Sequence, residues 1–286
     1  LAAYPEWGMY EVQPSERFGV HKACLNPTDE VVYTALDAIF TEVIEIFPDD
    51  FVHVGGDEVN PSWWSDNPQA QAFIDTHNLV DVRGLQNYFL QRLSTMLETK
   101  GKQVIAWDEV LHADMPGCVV QNWRGITTRD RALALSRDCV VSGPFYLDLL
   151  FPADLHYGFD PLGSQKEMLA LEDGLADDLR LQHIAEALAW THQWREGAVD
   201  LDEKQTSAQV LGGEACLWAE LVDSPTLMPR LWSRLPAVAE VLWSNVKTPV
   251  AEDHIQDFYR RLNSSWRALP NDPEQCQNQA LAKMGF

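Results

Sequence analysis

Two adjacent acid pairs stand out in this 286-residue chain. The stretch "HVGGDEV", His53 to Val59, puts Asp57 and Glu58 directly after two glycines, and "AWDE" puts Asp108 and Glu109 directly after Trp107. Neighbouring carboxyls can divide their work. An ionised aspartate disfavours a second negative charge beside it and pushes its neighbour's pKa up toward that of a general acid. "GGDE" also fits a plain turn or a nucleotide-cyclase hairpin. The hairpin needs a second strand at once, and "VNPSWWSDNP", with two prolines and no alternation, excludes it. No phosphate-cradling glycine loop occurs. Glu109 and His112 have E-x-x-H spacing, but once only, against the two copies a carboxylate di-iron bundle needs. With no H-E-x-x-H and no Cys/His cluster at zinc spacing, neither metal nor cofactor is expected.

Carboxylates beside tryptophans point to sugar chemistry. The chain has eleven Trp, whose flat apolar face and single N–H suit stacking on sugar rings, although many will be core. Ordinary retaining glycosidases hold two carboxyls about 5–5.5 Å apart on opposite faces of the bond. Neighbours on one strand end are poorly placed for that, so a nucleophile would come from elsewhere, the substrate included. On spacing alone, Asp57–Glu58 and Asp108–Glu109 are equal candidates.

The elements that must position these groups alternate. "NPTDEVVYTALDAIFTEVIEIF" reads as a helix with Asn26 as N-cap and Pro27 at its first position, and "FVHVGG" as a short strand. "VRGLQNYFLQRLSTMLETKG" is helical, with Gly101 as its stop, and "QVIAW" a strand. "CVVQNW", the helical "TTRDRALALSRD" and "CVVSGPFYL" follow; a long excursion runs from Phe151 to Gln205, then come "QVLGGEACLW" and the helix "LMPRLWSRLPAVAEVLWS". Five apolar strands, mostly joined by helices, imply a parallel sheet in one domain, 1–286. The polar and aromatic residues collect where strands end: Asp57 and Glu58; Trp107, Asp108 and Glu109; Asn122 and Trp123; Tyr146 and Asp148; Trp218 and Glu220. C-terminal strand ends form the active face of a (β/α)₈ TIM-type barrel, so this α/β architecture would deliver all five clusters to one pocket.

Composition bounds the partners. A formal net charge of −22 argues against nucleic acid or an anionic membrane surface, and no run is apolar enough for a membrane span. Five scattered cysteines without a C-x-x-C pair read as buried free thiols.

"HVGGDE" resembles the H-x-G-G-D-E signature of the family 20 glycoside hydrolases, the β-N-acetylhexosaminidases, including chitobiases. The likeness extends through "AYPEW", "GVHKACLNPTDEVVYTAL", "AWDE", "QNWRG", "YLDLLFPAD", "GGEACLWAELVD" and "RLWSRLPAVAEVLWS", in the family's order and over nearly the whole chain. It implies an exo-acting, retaining enzyme that releases terminal N-acetylglucosamine or N-acetylgalactosamine from an amino-sugar oligosaccharide. The implied mechanism is substrate-assisted, through an oxazolinium intermediate. By that resemblance Glu58 is the general acid and then base, Asp57 holds the N–H of the 2-acetamido group, and Tyr146 bonds its oxygen. Trp107, Trp123 and Trp218 wall the pocket, Asp148 and Glu220 bind ring hydroxyls, and Asp108 and Glu109 become supporting residues. His53 is expected to order its strand rather than to move a proton.

The family's barrel has eight strands, and the stretch seen here matches strands four to eight, without the sugar-binding Arg and the Asp and His that precede them. An incomplete barrel would leave its outer strands open, which a second copy in a homo-oligomer could cover. The alternative is a non-catalytic carbohydrate-binding remnant of the same family; a third reading is a hydrolase of another sugar class. Family habit suggests a periplasmic or secreted location, while the unpaired cysteines leave the cytoplasm open.

Overall fold

Asp29, not Asn26, caps the first long helix. The computed structural model describes residues 1, 3–10, 13–15, 19–21, 24–60, 62–149, 151–184, 207–219, 222–244 and 252–267. In it α1 runs Glu30–Ile46, and the Asp29 side chain accepts from the Val31 N–H. Asn26 is already engaged: its Oδ1 accepts from the Thr28 N–H at 3.1 Å and the Thr28 hydroxyl at 2.7 Å. Proline biases the residue before it toward extended backbone, so Asn26–Thr28 closes as a side-chain-bonded turn and the helix starts after it.

The other expected elements are present, but the strands read in "CVVSGPFYL" and "QVLGGEACLW" end early, at Val141 and Gly213. A short antiparallel pair, β1 (Gln13–Ser15) and β2 (Gly19–His21), precedes α1, and β3 (Phe51–His53) follows it. Next come α2 (Ser62–Ser65), α3 (Pro68–Thr76), α4 (Val82–Thr99), β4 (Gln103–Trp107), β5 (Val119–Asn122), α5 (Ile126–Ala134) and β6 (Cys139–Val141). Beyond β6 lie α6 (Ala153–Gly158), α7 (Gln165–Gly174), β7 (Val210–Gly213), α8 (Ser224–Trp243) and α9 (Glu252–Arg267). The strands β3 to β7 stand in chain order in one five-stranded sheet. The pairings β3–β4, β4–β5 and β6–β7 are parallel, in registers such as Val52↔Val104, Ala106↔Val120 and Val141↔Gly213. This is the alternating β/α order read from the sequence.

The chain packs as two units, Leu1–Gln121 and Asn122–Phe286. In the first, α4 turns Leu85, Leu90, Leu93 and Leu97 inward, and Leu85 joins Cys24, Trp64, Ala70 and Ile74 in one cluster. In the second, Phe145, Leu147 and Ile126 meet Ala237, Val238 and Val241 of α8 and Phe258 of α9. The sequence assigns no role to the excursion after Phe151. As far as Ile184 it contributes to the core: Phe151, Tyr157, Phe159, Met168 and Leu181 are all buried in that second cluster. Residues 185–206 lie outside the described residues.

The outer strands do carry exposed apolar residues, Phe51 on β3 at 41% and Leu211 on β7 at 51%. Cys24, Cys118, Cys139 and Cys216 are free and buried, and burial pushes the Cys139 and Cys216 thiols up to about 12. Cys276 lies outside the described residues. Among the described residues no helix is long and apolar enough to cross a membrane, and no three of His, Cys, Asp and Glu gather as a metal site would require.

Candidate functional site

In the first unit the chain leaves β3 through an unusual turn. The Val54 N–H still pairs with the Ile105 carbonyl at 2.9 Å. Then Gly55 (φ 73°), Gly56 (φ 98°) and Glu58 (φ 51°) all take positive φ. For the glycines this is free of penalty. For Glu58 the left-handed region costs roughly 1–2 kcal/mol, because its Cβ crowds the backbone carbonyl. Such strain persists only where the surroundings over-determine it.

The surroundings here can be named. The Gly55 N–H donates to His53 Nδ1 at 3.0 Å, and the Trp107 N–H donates to the Gly55 carbonyl at 3.0 Å. An accepting Nδ1 on neutral His53 leaves the ring proton on Nε2. The imidazole stands edge-on to Trp107, centroids 5.1 Å apart. The Gln86 side-chain amide, from α4, donates to the Gly56 carbonyl at 3.0 Å. On the far side the Glu58 N–H points to Glu109 Oε1 at 3.4 Å. Asp57 and Glu58 themselves are exposed.

The two acid pairs therefore differ in kind. Asp108 is fully buried at the start of a 3₁₀ turn, Asp108–His112, and Glu109 is half-buried with an oxygen turned to the Glu58 main chain. Only Asp57–Glu58 presents two carboxyls to solvent. His53 holds the strand end, as expected of it.

In the second unit Tyr146 follows a 3₁₀ turn, Gly143–Phe145. Its main chain runs parallel to Cys216, with the Cys216 N–H on the Phe145 carbonyl at 3.1 Å and the Leu147 N–H on the Cys216 carbonyl at 2.7 Å. That bridge brings Trp218 beside it: the two rings lie 6.4 Å apart, tilted by 40°, and Trp218 is 41% exposed. Trp123 is buried, and its main chain abuts Gly143, where an added Cβ would sit 2.8 Å from the Trp123 carbonyl oxygen. Backbone on both sides cannot swing away. Gly143→Ala should therefore cost about 1–3 kcal/mol of stability, read as a lowered urea midpoint.

Asp148 is buried. Its carbonyl accepts from Arg230 Nη1 at 2.7 Å, and the Phe151 carbonyl accepts from Arg234 Nε at 2.7 Å. Both arginines lie buried on α8, one turn apart. Burial lowers their pKa values, that of Arg234 to about 10, while the Asp148 carboxylate works the other way on each. Guanidiniums this deep serve as fixed multi-donor braces. They tie the loop carrying Tyr146 and Asp148 down to α8. His156, completely buried, adds a third tie through Nδ1 to the Pro144 carbonyl at 2.9 Å.

Each unit thus gathers its own share of the expected residues: Asp57, Glu58, Trp107 and Glu109 in the first, Tyr146, Trp218, Trp123 and Asp148 in the second. Glu220 lies outside the described residues. Four residues were not singled out from the sequence: Gln86, His156, Arg230 and Arg234. The arginines had a signal, a pair of cations at i, i+4 on an apolar helix. Gln86 and His156 had none, because each acts through a main-chain carbonyl that sequence does not locate.

Comparison with known proteins places this arrangement in a lineage. The sequence profile of "Glycosyl hydrolase family 20, catalytic domain" matches residues 1–246. The chain is 34% identical over 246 residues to a beta-hexosaminidase subunit beta of Felis catus, a match covering 83% of this chain and 39% of that protein. It is 32% identical over 229 residues to the human beta subunit, covering 77% and 35%. It therefore spans well under half the length of these relatives. A chitobiase structure from Flavobacterium johnsoniae superposes with TM-score 0.69 at 28% identity, over 98% of this chain and 38% of that one. An exo beta-N-acetylglucosaminidase from Vibrio harveyi, at 21% identity and TM-score 0.68, shares the fold over 96% of this chain and 40% of its own. A profile match over residues 1–246, reaching from "AYPEW" through the acid turn to the end of α8, shows that the chain belongs to glycosyl hydrolase family 20.

Proposed function

We propose that this chain carries the site of an exo-acting, retaining β-N-acetylhexosaminidase, with Glu58 as proton donor and then acceptor. The observation that supports it most directly is the acid turn. Glu58 is exposed beside Asp57 on backbone held in a strained conformation by groups from three elements. Structural carboxylates rarely sit on strained, externally braced backbone, whereas reacting groups often do.

In this reading the Glu58 carboxyl gives its proton to the glycosidic oxygen as the C1–O bond breaks. The carbonyl oxygen of the sugar's own 2-acetamido group closes on C1, forming an oxazolinium ion. Asp57 takes the hydrogen bond from the acetamido N–H and offsets the positive charge, and the Tyr146 hydroxyl donates to the acetamido oxygen. Then, as the C1–O bond of the oxazolinium ring breaks and the acetamido carbonyl is restored, water adds to C1 from the face the leaving group vacated. It gives its proton to Glu58, restoring the acid and retaining the configuration. Trp107, Trp123 and Trp218 supply apolar walls, and Asp148 and Glu220 bind hydroxyls of the terminal sugar. No cofactor enters.

The test is a pair of chromogenic substrates that differ only at C2. The β-N-acetylglucosaminide should be hydrolysed, and the β-glucoside, with a hydroxyl in place of the acetamido group, should not. Equal turnover of both would sink the substrate-assisted mechanism and favour a hydrolase of another sugar class. Binding of N-acetylglucosamine by the folded chain without any turnover would favour a carbohydrate-binding role.

A further inference from the structure

We infer that Gln86 and Glu109 are the positioning residues for Glu58, two side chains that hold the main chain on either side of the acid and keep it in its left-handed conformation. The inference rests on the reading of Glu58 as the proton donor. It goes beyond that reading by assigning work to a helix residue and to a carboxylate of the second acid pair.

Four main-chain groups of the turn from Gly55 to Glu58 are held by other parts of the chain. Two are met from the neighbouring strand ends: the Gly55 N–H by His53 and the Gly55 carbonyl by the Trp107 N–H. Those bonds fix the entry to the turn. The other two flank the acid and are held by side chains. Gln86 Nε2 donates to the Gly56 carbonyl across 30 residues of sequence, and Glu109 Oε1 accepts from the Glu58 N–H across 51.

Residue type matters at both places. Gln86 must donate, so a glutamate there would set two acceptors against each other. Glu109 must accept, so an alanine there would leave the Glu58 N–H to water, whereas a glutamine could still present an oxygen. These two bonds oppose relaxation of Glu58 toward negative φ, and a change of that dihedral swings the carboxyl away. A displacement near 1 Å at a reacting group is enough to slow catalysis by orders of magnitude.

The experiment uses the whole 286-residue chain and two readouts. The first is amide hydrogen exchange at Glu58, followed by NMR on ¹⁵N-labelled protein. Glu109→Ala should speed exchange about tenfold, the worth of one such hydrogen bond, and Glu109→Gln should stay close to wild type. The second is turnover of an aryl β-N-acetylglucosaminide. Gln86→Met and Glu109→Ala should each lower kcat about tenfold with KM little changed, the pattern of an interaction that matters at the transition state, and Glu109→Gln should recover most of it. A merely structural role would move the unfolding midpoint without this split between kcat and KM.

Unchanged exchange in Glu109→Ala overturns the inference. So does full turnover in both variants of a wild type that turns over. If the wild-type chain hydrolyses nothing, the glycosidase reading falls by itself, and the clamp then stands or falls on the exchange ranking alone.

Discussion

Glu58→Gln should lose about 10²–10⁴-fold in kcat on an aryl β-N-acetylglucosaminide, the range that general acid–base catalysis contributes. The substitution is nearly isosteric and keeps the side chain's reach, but an amide cannot surrender a proton to a leaving group. It also keeps the bonds that Glu109 and Gln86 make to the turn, which go to the main-chain Glu58 N–H and Gly56 carbonyl. The variant should therefore unfold at the same urea concentration as wild type. The loss should also shrink with a more acidic leaving group. A dinitrophenolate departs without help, so the proton Glu58 supplies is worth less there than on a plain alkyl glycoside. A loss that is the same for every leaving group would mean that Glu58 does not act as the acid. No loss at all would return the role to another carboxyl, and Asp108 is fully buried and poorly placed to take it.

That contrast between Asp57–Glu58 and Asp108–Glu109 marks the limit of what the sequence could say. Both pairs sit after a strand, and both read as candidates. What separates them is depth and direction: a 3₁₀ turn carries Asp108 inward and aims Glu109 at a neighbour's main chain, and neither feature has a letter in the sequence. The broad architecture was far more legible. Apolar runs of four to six residues alternating with 3.6-period stretches fix the parallel sheet, because only that period turns one helix face inward. Helix starts were less legible. Asn26 and Asp29 are both good caps by type, and the choice depended on which side chain Thr28 had already engaged. The excursion after Phe151 was hard to read because of its polarity. Its buried residues, Phe151, Tyr157, Phe159 and Met168, are spaced among acids and prolines that mask the pattern.

The braces on the loop bearing Tyr146 show the same principle, since Arg230, Arg234 and His156 act on carbonyls. Of these, His156 makes stability respond to pH. Its burial, more than anything else, holds the imidazole down to about 4; the Arg234 charge adds to this, while the bond to the Pro144 carbonyl and the Asp154 carboxylate oppose it. Nε2 has no hydrogen-bond partner among the described residues, so a proton arriving there would be buried without an acceptor.

In the unfolded chain the same ring titrates near about 6.5. Between these two values the unfolded state binds the proton and the folded state does not. Acid therefore favours unfolding, and stability falls as pH drops through that window. From pH 7 to pH 5 this one residue should remove about 2 kcal/mol of unfolding free energy. His156→Asn keeps a donor near the Pro144 carbonyl and cannot titrate. Urea unfolding of both proteins at pH 7 and pH 5 isolates the effect, because the many carboxylates contribute alike to each and cancel in the difference. The variant, less stable than wild type at pH 7 through lost packing, should lose about 2 kcal/mol less on going to pH 5. Equal losses would mean that His156 accepts its proton in the folded state as readily as in the unfolded one.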